Sequence, residues 1–111
     1  LTQNIVGAFN GAVCSLWVAA PAAARIDTPA DLAGRTIVTS YPATLRQWLA
    51  RHNVTGAAII TRSGGIEDYV RLGLADAICD IVESGRTLAE NGLERKIKLL
   101  DSSAVLVARN I

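Results

Sequence analysis

The sequence predicts a single α/β domain over residues 1–111, with a mainly parallel β-sheet that helices cover on both faces. Short runs rich in Val, Ile and Ala alternate along the chain with segments that carry helix caps or helical spacing, which is typical of βαβ units. Several of these runs are apolar at nearly every position, as in strands buried on both faces. The length of 111 residues is within the range of one domain with its own core.

Each element is predicted from its own local signals. In the first predicted helix, Thr28 is the N-cap, Pro29 takes the first position and Gly34 is the stop. In the second, the apolar residues of 45–49 fall at i, i+3 and i+4, which is one face of a helix. The predicted strands are 13–19, 36–39, 57–61, 77–82, 96–100 and 104–108, and the predicted helices lie within 28–34, 42–52, 66–72 and 86–91.

The charge balance argues against two kinds of partner. The chain has 11 Lys and Arg against 10 Asp and Glu, a formal net charge of +1. Binding to nucleic acid or to a membrane surface would need a clustered excess of basic residues, which the sequence lacks. The longest apolar stretch, 12–24, is interrupted by Ser15 and Pro21 and is shorter than the roughly 20 residues of a membrane-spanning helix.

The two cysteines indicate a reducing compartment. Cys14 and Cys79 each lie inside an apolar run, where a small buried side chain is favoured over a disulfide or a metal ligand. No basic segment precedes a hydrophobic one near the start, as a secretory signal would require. We therefore expect a cytoplasmic protein.

Three predicted loops follow strands at the end of the sheet where open α/β folds bind ligands. In the last of them, Ser84 can cap the next helix, Gly85 lets the backbone approach a ligand, and Thr87 adds a hydroxyl beside the free amides of the first helical turn. An anion site and an ordinary turn with a serine cap both fit this pattern. The three loops are Thr39-Ser40-Tyr41-Pro42, 62–65 and 83–87.

Two acidic residues lie near these loops. Alternation along the predicted strand puts Asp80 and Val82 on one face, where a carboxylate needs hydrogen-bond donors such as ribose hydroxyls. A structural Asp near a strand end is the equally weighted alternative. Glu67 begins a short helix, and there the helix dipole favours an acid for structural reasons alone.

Other polar residues have structural interpretations. Asp76 is expected to be a turn residue, and His52 takes the position of a cation at a helix C-terminus. Because His52 is the one histidine of the chain, no catalytic triad and no Cys and His metal site can be assembled from the sequence.

The residues around Asp80 resemble the signature of the ATP phosphoribosyltransferase family, which catalyses the first step of histidine biosynthesis. The combination is specific, and together the matches cover nearly the whole chain. The matching segments are Gly73–Asp80 (GLADAICD), Ile81–Leu88 (IVESGRTL) and Asn91–Leu93 (NGL), followed by Phe9–Leu16, Thr39–Pro42 (TSYP), Gly65–Glu67 (GIE) and Ser103-Ala104.

The resemblance implies a fold of the type II periplasmic-binding-protein kind, with this chain as the second of two lobes. The implied reaction joins N1 of ATP to C1 of phosphoribosyl pyrophosphate and releases pyrophosphate, without a nucleophilic side chain. Mg²⁺ would come with the substrate, with no direct ligand predicted in this chain. Asp80 and Glu67 would face the ribose hydroxyls or the metal-bound diphosphate. The 5′-phosphate would be held by Ser84, Gly85, Arg86, Thr87 and Leu88, and a nucleotide or diphosphate loop would comprise Thr39, Ser40 and Tyr41.

The resemblance also implies partners. The first lobe would supply much of the nucleotide site, and the protein would form a homo-oligomer, with a regulatory subunit similar to histidyl-tRNA synthetase in the short family form. Since the chain begins at Leu1 and contains no Met, we expect the gene to extend on both sides and to encode the first lobe. The alternatives are an isolated, non-catalytic phosphate-binding lobe, a Rossmann-like phosphoribosyltransferase and, disfavoured by the lack of an export signal, a solute-receptor lobe.

Three positions depart from the family pattern. Ser15 and Thr36 stand where the family often has a basic residue, and Tyr69-Val70 stands where an Ala-Pro pair is expected. The first two departures affect the charge around the diphosphate, and the third affects the packing of the short helix.

Overall fold

The computed structural model describes residues 15–82 and 86–100, apart from the side chains of Arg86 and Thr87. They form one five-stranded sheet with the order β3-β2-β4-β1-β5. The strands are β1 (Ser15–Pro21), β2 (Thr36–Thr39), β3 (Ala58–Thr61), β4 (Ala77–Val82) and β5 (Leu93–Leu100). The helices are a 3-10 turn (Pro29–Leu32), α1 (Pro42–Arg51), α2 (Glu67–Arg71) and α3 (Arg86–Glu90).

Four of the five described strands run in one direction. β2 is parallel to both β3 and β4, whereas β1 is antiparallel to both β4 and β5, so β5 runs the same way as β4. The prediction of a mainly parallel sheet is confirmed, with β1 as the reversed strand. Because β1 lies between β4 and β5, its residue Trp17 is opposite Asp80 on one side and Lys98 on the other.

Helices cover both faces of the sheet, as predicted. Alternate residues of β4 enter two separate cores: Ala77 and Cys79 pack on the face covered by α1, and Ile78 and Val82 pack on the opposite face. The apolar stripe of α1 fills the first core with Leu45, Trp48 and Leu49. The second core is closed by residues around α2 and α3, which include Ile66 and Leu88.

The first predicted helix is a four-residue 3-10 turn rather than an α-helix. Between Pro29 and the stop at Gly34, which has a φ of +77°, there is no room for a longer helix. The carboxylate of Asp31 accepts hydrogen bonds from the backbone N–H groups of Asp27 and Thr28, both at 2.9 Å. These two bonds hold the pKa of Asp31 below its usual value.

The last described strand begins earlier than predicted, at Leu93 rather than at residue 96. Leu93, Glu94 and Arg95 pair with the end of β1, although the charged run that follows Leu93 does not have a strand pattern. α3 ends before Gly92, which has a φ of +72°, as predicted. The predicted strand 104–108, its preceding turn, and the two residues 13–14 of the first predicted strand lie outside the described residues.

Candidate functional site

The carboxyl ends of β2, β3 and β4 meet at one end of the sheet. Thr39 is level with Thr61 of β3 and with Cys79 of β4, so the loops that follow the three strands begin side by side. Asp80 lies one residue beyond that level on the central strand β4. This arrangement is the ligand-binding end of an open α/β sheet.

The carboxylate of Asp80 lies on the face covered by α2 and α3. Its neighbours at i−2 and i+2, Ile78 and Val82, both belong to the core of that face, and strand alternation places Asp80 between them. The side chain is half-buried, and Oδ1 accepts a hydrogen bond of 2.8 Å from the backbone N–H of Ile81. The predicted orientation of Asp80 and Val82 is therefore confirmed.

The carboxylate of Asp80 is close enough to Glu67 for the charge of Glu67 to act on it. Burial raises the pKa of Asp80, the hydrogen bond from Ile81 opposes that rise, and the negative charge of Glu67 adds to it. Among the described residues, no ion pair compensates either carboxylate. A half-buried carboxylate at the loop end of a strand suits hydroxyl donors or the surroundings of a hard cation that arrives with a ligand.

The loop after β2 is built on a buried hydroxyl. Thr39 is fully buried, and its Oγ1 donates to the carbonyl of Cys79 at 2.6 Å and accepts from the N–H of Tyr41 at 3.0 Å. The Ser40 hydroxyl, which is exposed, donates to the carbonyl of Arg62 at 2.7 Å. Thr39 thus has a structural role, and the role of this loop in binding a nucleotide or diphosphate stays a prediction.

Most of the predicted phosphate loop lies outside the described residues. Ser84 and Gly85 are not described, and Arg86 and Thr87 are described only as backbone at the start of α3. Leu88 is buried at 4% exposure and packs in the same core as Val82 and Leu93. Leu88 therefore anchors α3 to the sheet, and phosphate binding by the five residues stays a prediction.

Trp17 and Arg95 lie near the site and were not singled out from the sequence, and the bond between Arg62 and Tyr69 was not predicted. Trp17 lies opposite Asp80, and the guanidinium of Arg95 is 5.4 Å from its ring centroid. Arg62 donates from Nε to the hydroxyl of Tyr69 at 2.7 Å. The apolar run around Trp17 predicts only a core residue. Its place beside Asp80 follows from the pairing register of β1 with β4, which the sequence does not show.

The structural interpretations of Asp76 and His52 are confirmed. Asp76 accepts a hydrogen bond of 2.8 Å from the N–H of Thr36 and lies 4.0 Å from Arg35. His52 ends α1, with its ring centroid 4.2 Å from that of Trp48. In the described part of the chain, no group of three or more His, Cys, Asp and Glu residues could hold a metal ion.

Burial of Cys79 agrees with its predicted role as a small core residue. The side chain is fully buried, and this burial raises the pKa of the thiol to about 12. Cys14 lies outside the described residues. Within the ranges 15–82 and 86–100, no helix is long and apolar enough to cross a bilayer.

Comparison with known proteins decides the family. A family model described as ATP phosphoribosyltransferase matches residues 4–111. The chain belongs to this family. It is 50% identical over 93 residues to an ATP phosphoribosyltransferase of Stenotrophomonas maltophilia, covering 84% of this chain and 30% of that protein. It is 47% identical over 96 residues to one of Maricaulis maris, covering 86% of this chain and 32% of that protein.

Solved structures support both the family and the fold. The chain superposes on the ATP phosphoribosyl transferase (HisG:HisZ) complex from Thermotoga maritima with a TM-score of 0.70 and 28% identity, covering 81% of this chain and 42% of that one. It also resembles the second substrate-binding domain of a putative amino acid ABC transporter from Streptococcus pneumoniae, with a TM-score of 0.62, 17% identity, and coverage of 88% and 52%. The lobe therefore has the type II periplasmic-binding-protein fold. The chain spans about a third of the length of its curated relatives.

Proposed function

We propose that this chain carries the sugar-phosphate half of the active site of an ATP phosphoribosyltransferase in histidine biosynthesis. The observation that carries the proposal is the half-buried carboxylate of Asp80 at the loop end of β4, where the ends of three parallel strands meet. Family membership supports the reaction class, a phosphoribosyl transfer to ATP, and we propose that the group passes from phosphoribosyl pyrophosphate to N1 of ATP.

The residues of the chain would act by position and charge. Departure of pyrophosphate leaves an oxocarbenium-like ribose, so orientation of the two substrates and stabilisation of charge do most of the catalysis. Asp80 and Glu67 would accept hydrogen bonds from the ribose hydroxyls, while Ser84, Gly85 and Thr87 would donate to the 5′-phosphate.

Mg²⁺ would come with the substrate, and no direct ligand for it is predicted in this chain. Asp80 and Glu67 would face the metal-bound diphosphate, and their carboxylates suit the water ligands that Mg²⁺ usually keeps. When bound with the diphosphate, Mg²⁺ would neutralise the leaving group. The chain itself would orient the sugar and keep its 5′-phosphate in place.

Titration with phosphoribosyl pyrophosphate and Mg²⁺, followed by NMR, tests the site. We expect the amide signals of 84–88 to shift, and we expect Ser84→Ala with Thr87→Ala to weaken binding without unfolding the chain. Thr55→Ala, at an exposed position, is the control variant. An intact fold whose 84–88 amides do not respond at millimolar ligand would contradict the assignment.

Turnover would need more than this chain. We propose that a first lobe supplies the ATP site and the cationic groups for the diphosphate, in a cytoplasmic homo-oligomer. The Thermotoga maritima complex contains a HisZ component, and a regulatory subunit of that kind is the corresponding partner proposed here. Product formation from ATP and phosphoribosyl pyrophosphate, measured by chromatography on the protein expressed from its whole gene, tests this step.

A second candidate is a lobe that binds phosphate without catalysis. Binding of phosphoribosyl pyrophosphate without turnover in the whole-gene protein would support this candidate, and turnover would exclude it.

A further inference from the structure

Strand β3 is at one edge of the described sheet. It pairs with β2 on one side, in parallel register from Ala58 to Thr61, and no described strand pairs with its other side. Backbone bonds to β2 begin and end this pairing, from the N–H of Ala58 at 2.8 Å and from the N–H of Arg62 at 3.0 Å. Because the backbone groups of successive strand residues point to opposite sides, those of Ile59 and Thr61 point away from β2. β3 therefore has a free edge.

One end of this free edge is closed by a side chain. The Arg62 guanidinium donates from Nη1 to the outward carbonyl of Thr61 at 2.7 Å and from Nε to the Tyr69 hydroxyl at 2.7 Å. Proteins often limit strand pairing at a sheet edge with a charged side chain. Among the described residues, the outward groups without such a partner are the N–H and carbonyl of Ile59 and the N–H of Thr61. A short extended segment could therefore pair with these two residues but not beyond Thr61.

A groove lies beside the free edge, between β3 and α1. It has a volume of about 280 Å³, and apart from Arg46, which is exposed on α1, its lining consists of apolar residues and one glycine. The lining includes the buried side chains of Leu49 and Val54 and the more accessible Ala50 and Ile59. Small-molecule sites usually have volumes of roughly 300–1,000 Å³, so a groove of this size suits one or two side chains of a bound segment.

The charge of this region indicates the charge of a partner. The stretch 32–66 contains four Arg residues and no Asp or Glu, although the whole chain has a formal net charge of only +1. One of the four, Arg46, lines the groove, and no ion pair among the described residues involves it. Complementary charge favours one partner over others, so an acidic side chain would suit the groove at Arg46.

We propose that the β3 edge and this groove bind an extended segment of a partner protein, with one apolar and one acidic side chain, as an added strand. In strand addition, main-chain bonds to the edge hold the segment, and alternate side chains enter pockets. The apolar side chain would contact Leu49 and Val54, and the acidic one, two residues along on the same strand face, would face Arg46. Leu49 and Val54 belong to the core under α1, whereas Asp80 projects to the opposite face of the sheet. The proposal therefore does not depend on the substrate.

Binding of two synthetic peptides tests this surface. The acetylated and amidated sequences STLTETS and STETLTS place one Leu and one Glu on the same strand face in either order. Each carries a fluorescein label, and fluorescence anisotropy measures its binding to the protein expressed from its whole gene. We expect at least one of the peptides to bind saturably with a Kd below about 1 mM.

Variants of the protein locate the bound peptide. Ala50→Trp fills the groove at an exposed helix position and should weaken binding at least about tenfold, because the apolar side chain can no longer enter. Gln47→Trp makes the same addition of bulk at an exposed position of α1 outside the lining and should leave the Kd unchanged. Thr61→Pro removes an outward N–H but no bond to β2, and it should weaken binding by about two- to tenfold, the range of one lost hydrogen bond.

Arg46 has its own readout. Arg46→Gln should weaken binding of the Glu peptide by about two- to fivefold, the range of an exposed ion pair, and should leave binding of the same peptide with Gln in place of Glu unchanged. Circular dichroism checks that each variant is folded, and if Thr61→Pro unfolds, Ala50→Trp still decides the position of the peptide.

Three results would overturn the proposal. The first is no binding of either peptide at millimolar concentration, and the second is a wild-type Kd in Ala50→Trp. The third concerns a second copy of the protein as the occupant: if the protein without peptide self-associates in light scattering and Ala50→Trp abolishes this association, the surface joins two copies rather than the protein and a partner.

Discussion

Replacement of Thr39 by Val tests whether the loop after β2 depends on one buried hydroxyl. Val keeps the branched shape but removes the donor to the Cys79 carbonyl and the acceptor for the Tyr41 N–H. Two hydrogen bonds contribute about 0.5–1.5 kcal/mol each. Burial of a methyl group in place of the hydroxyl stabilises the folded state by about 0.8 kcal/mol, which offsets part of this loss. The free energy of unfolding is therefore expected to fall by about 1 kcal/mol.

Urea unfolding and hydrogen exchange together measure this effect. With an m-value of about 1–2 kcal/mol/M, a loss of 1 kcal/mol lowers the urea midpoint by about 0.5–1 M. The amide of Tyr41 should exchange faster with solvent, because its acceptor is gone. Thr39→Ser supplies the control for exchange: it keeps the hydroxyl, so the Tyr41 amide should stay protected even though a buried methyl is lost.

A second control compares a buried with an exposed bond. Ser40→Ala removes the exposed hydroxyl that donates to Arg62, and such surface changes stay within about 0.5 kcal/mol. Thr39→Val with a wild-type urea midpoint and a protected Tyr41 amide would refute the structural role assigned to Thr39.

Three further changes have expected outcomes. In a Cys14→Ala background, the Cys79 thiol, with a pKa of about 12, should not react with a thiol reagent at pH 8 until the chain is unfolded, and rapid reaction of the native chain would contradict the burial of Cys79. Leu88→Ala should destabilise the chain by about 2–5 kcal/mol in urea unfolding, because Leu88 anchors α3 in the core, and a smaller loss would mean that α3 is held by other contacts. Burial raises the pKa of Asp80, so the folded state favours the protonated carboxyl. The contribution of this carboxyl to the free energy of unfolding is fully present below the ordinary pKa of 3.8 and is lost as pH rises through the pKa of the folded state. Asp80→Asn should therefore stabilise the chain at pH 7 but not below pH 3.8, as measured by urea unfolding at both values, and equal effects at the two pH values would contradict the shift.

The sequence predicted the elements whose local signals agree with their environment. The apolar stripe of α1 and the runs of β2 and β4 fall where the structure has them, to within one residue at each end. The start of β5 was missed because Glu94 and Arg95 pair with β1 despite being exposed, and edge pairing is determined by the neighbouring strand rather than by local pattern. The reversal of β1 was also missed, since nothing within a strand encodes the direction of its neighbours.

Features of the candidate site could be predicted only where they depend on neighbouring residues in the sequence. Strand alternation indicated which way Asp80 faces, but its interaction with Glu67 depends on how α2 packs. Tyr69 was noticed as a departure from the family pattern, although its bond to Arg62 joins residues on different elements and has no sequence signature. The buried use of the Thr39 hydroxyl was hidden for the same reason, because its main acceptor lies 40 residues away on β4.

Consecutive residues of β4 divide structural and functional roles between them. Cys79 places its side chain in the core under α1 and offers its carbonyl to Thr39, so it joins β4 to the loop after β2. Asp80, the next residue, projects to the opposite face and interacts with Glu67. Because the two residues share one peptide unit, a change that shifts the Thr39 and Cys79 contact also shifts the Asp80 carboxylate. The position of the Asp80 carboxylate is therefore coupled to the central sheet through the buried hydrogen bond between Thr39 and Cys79.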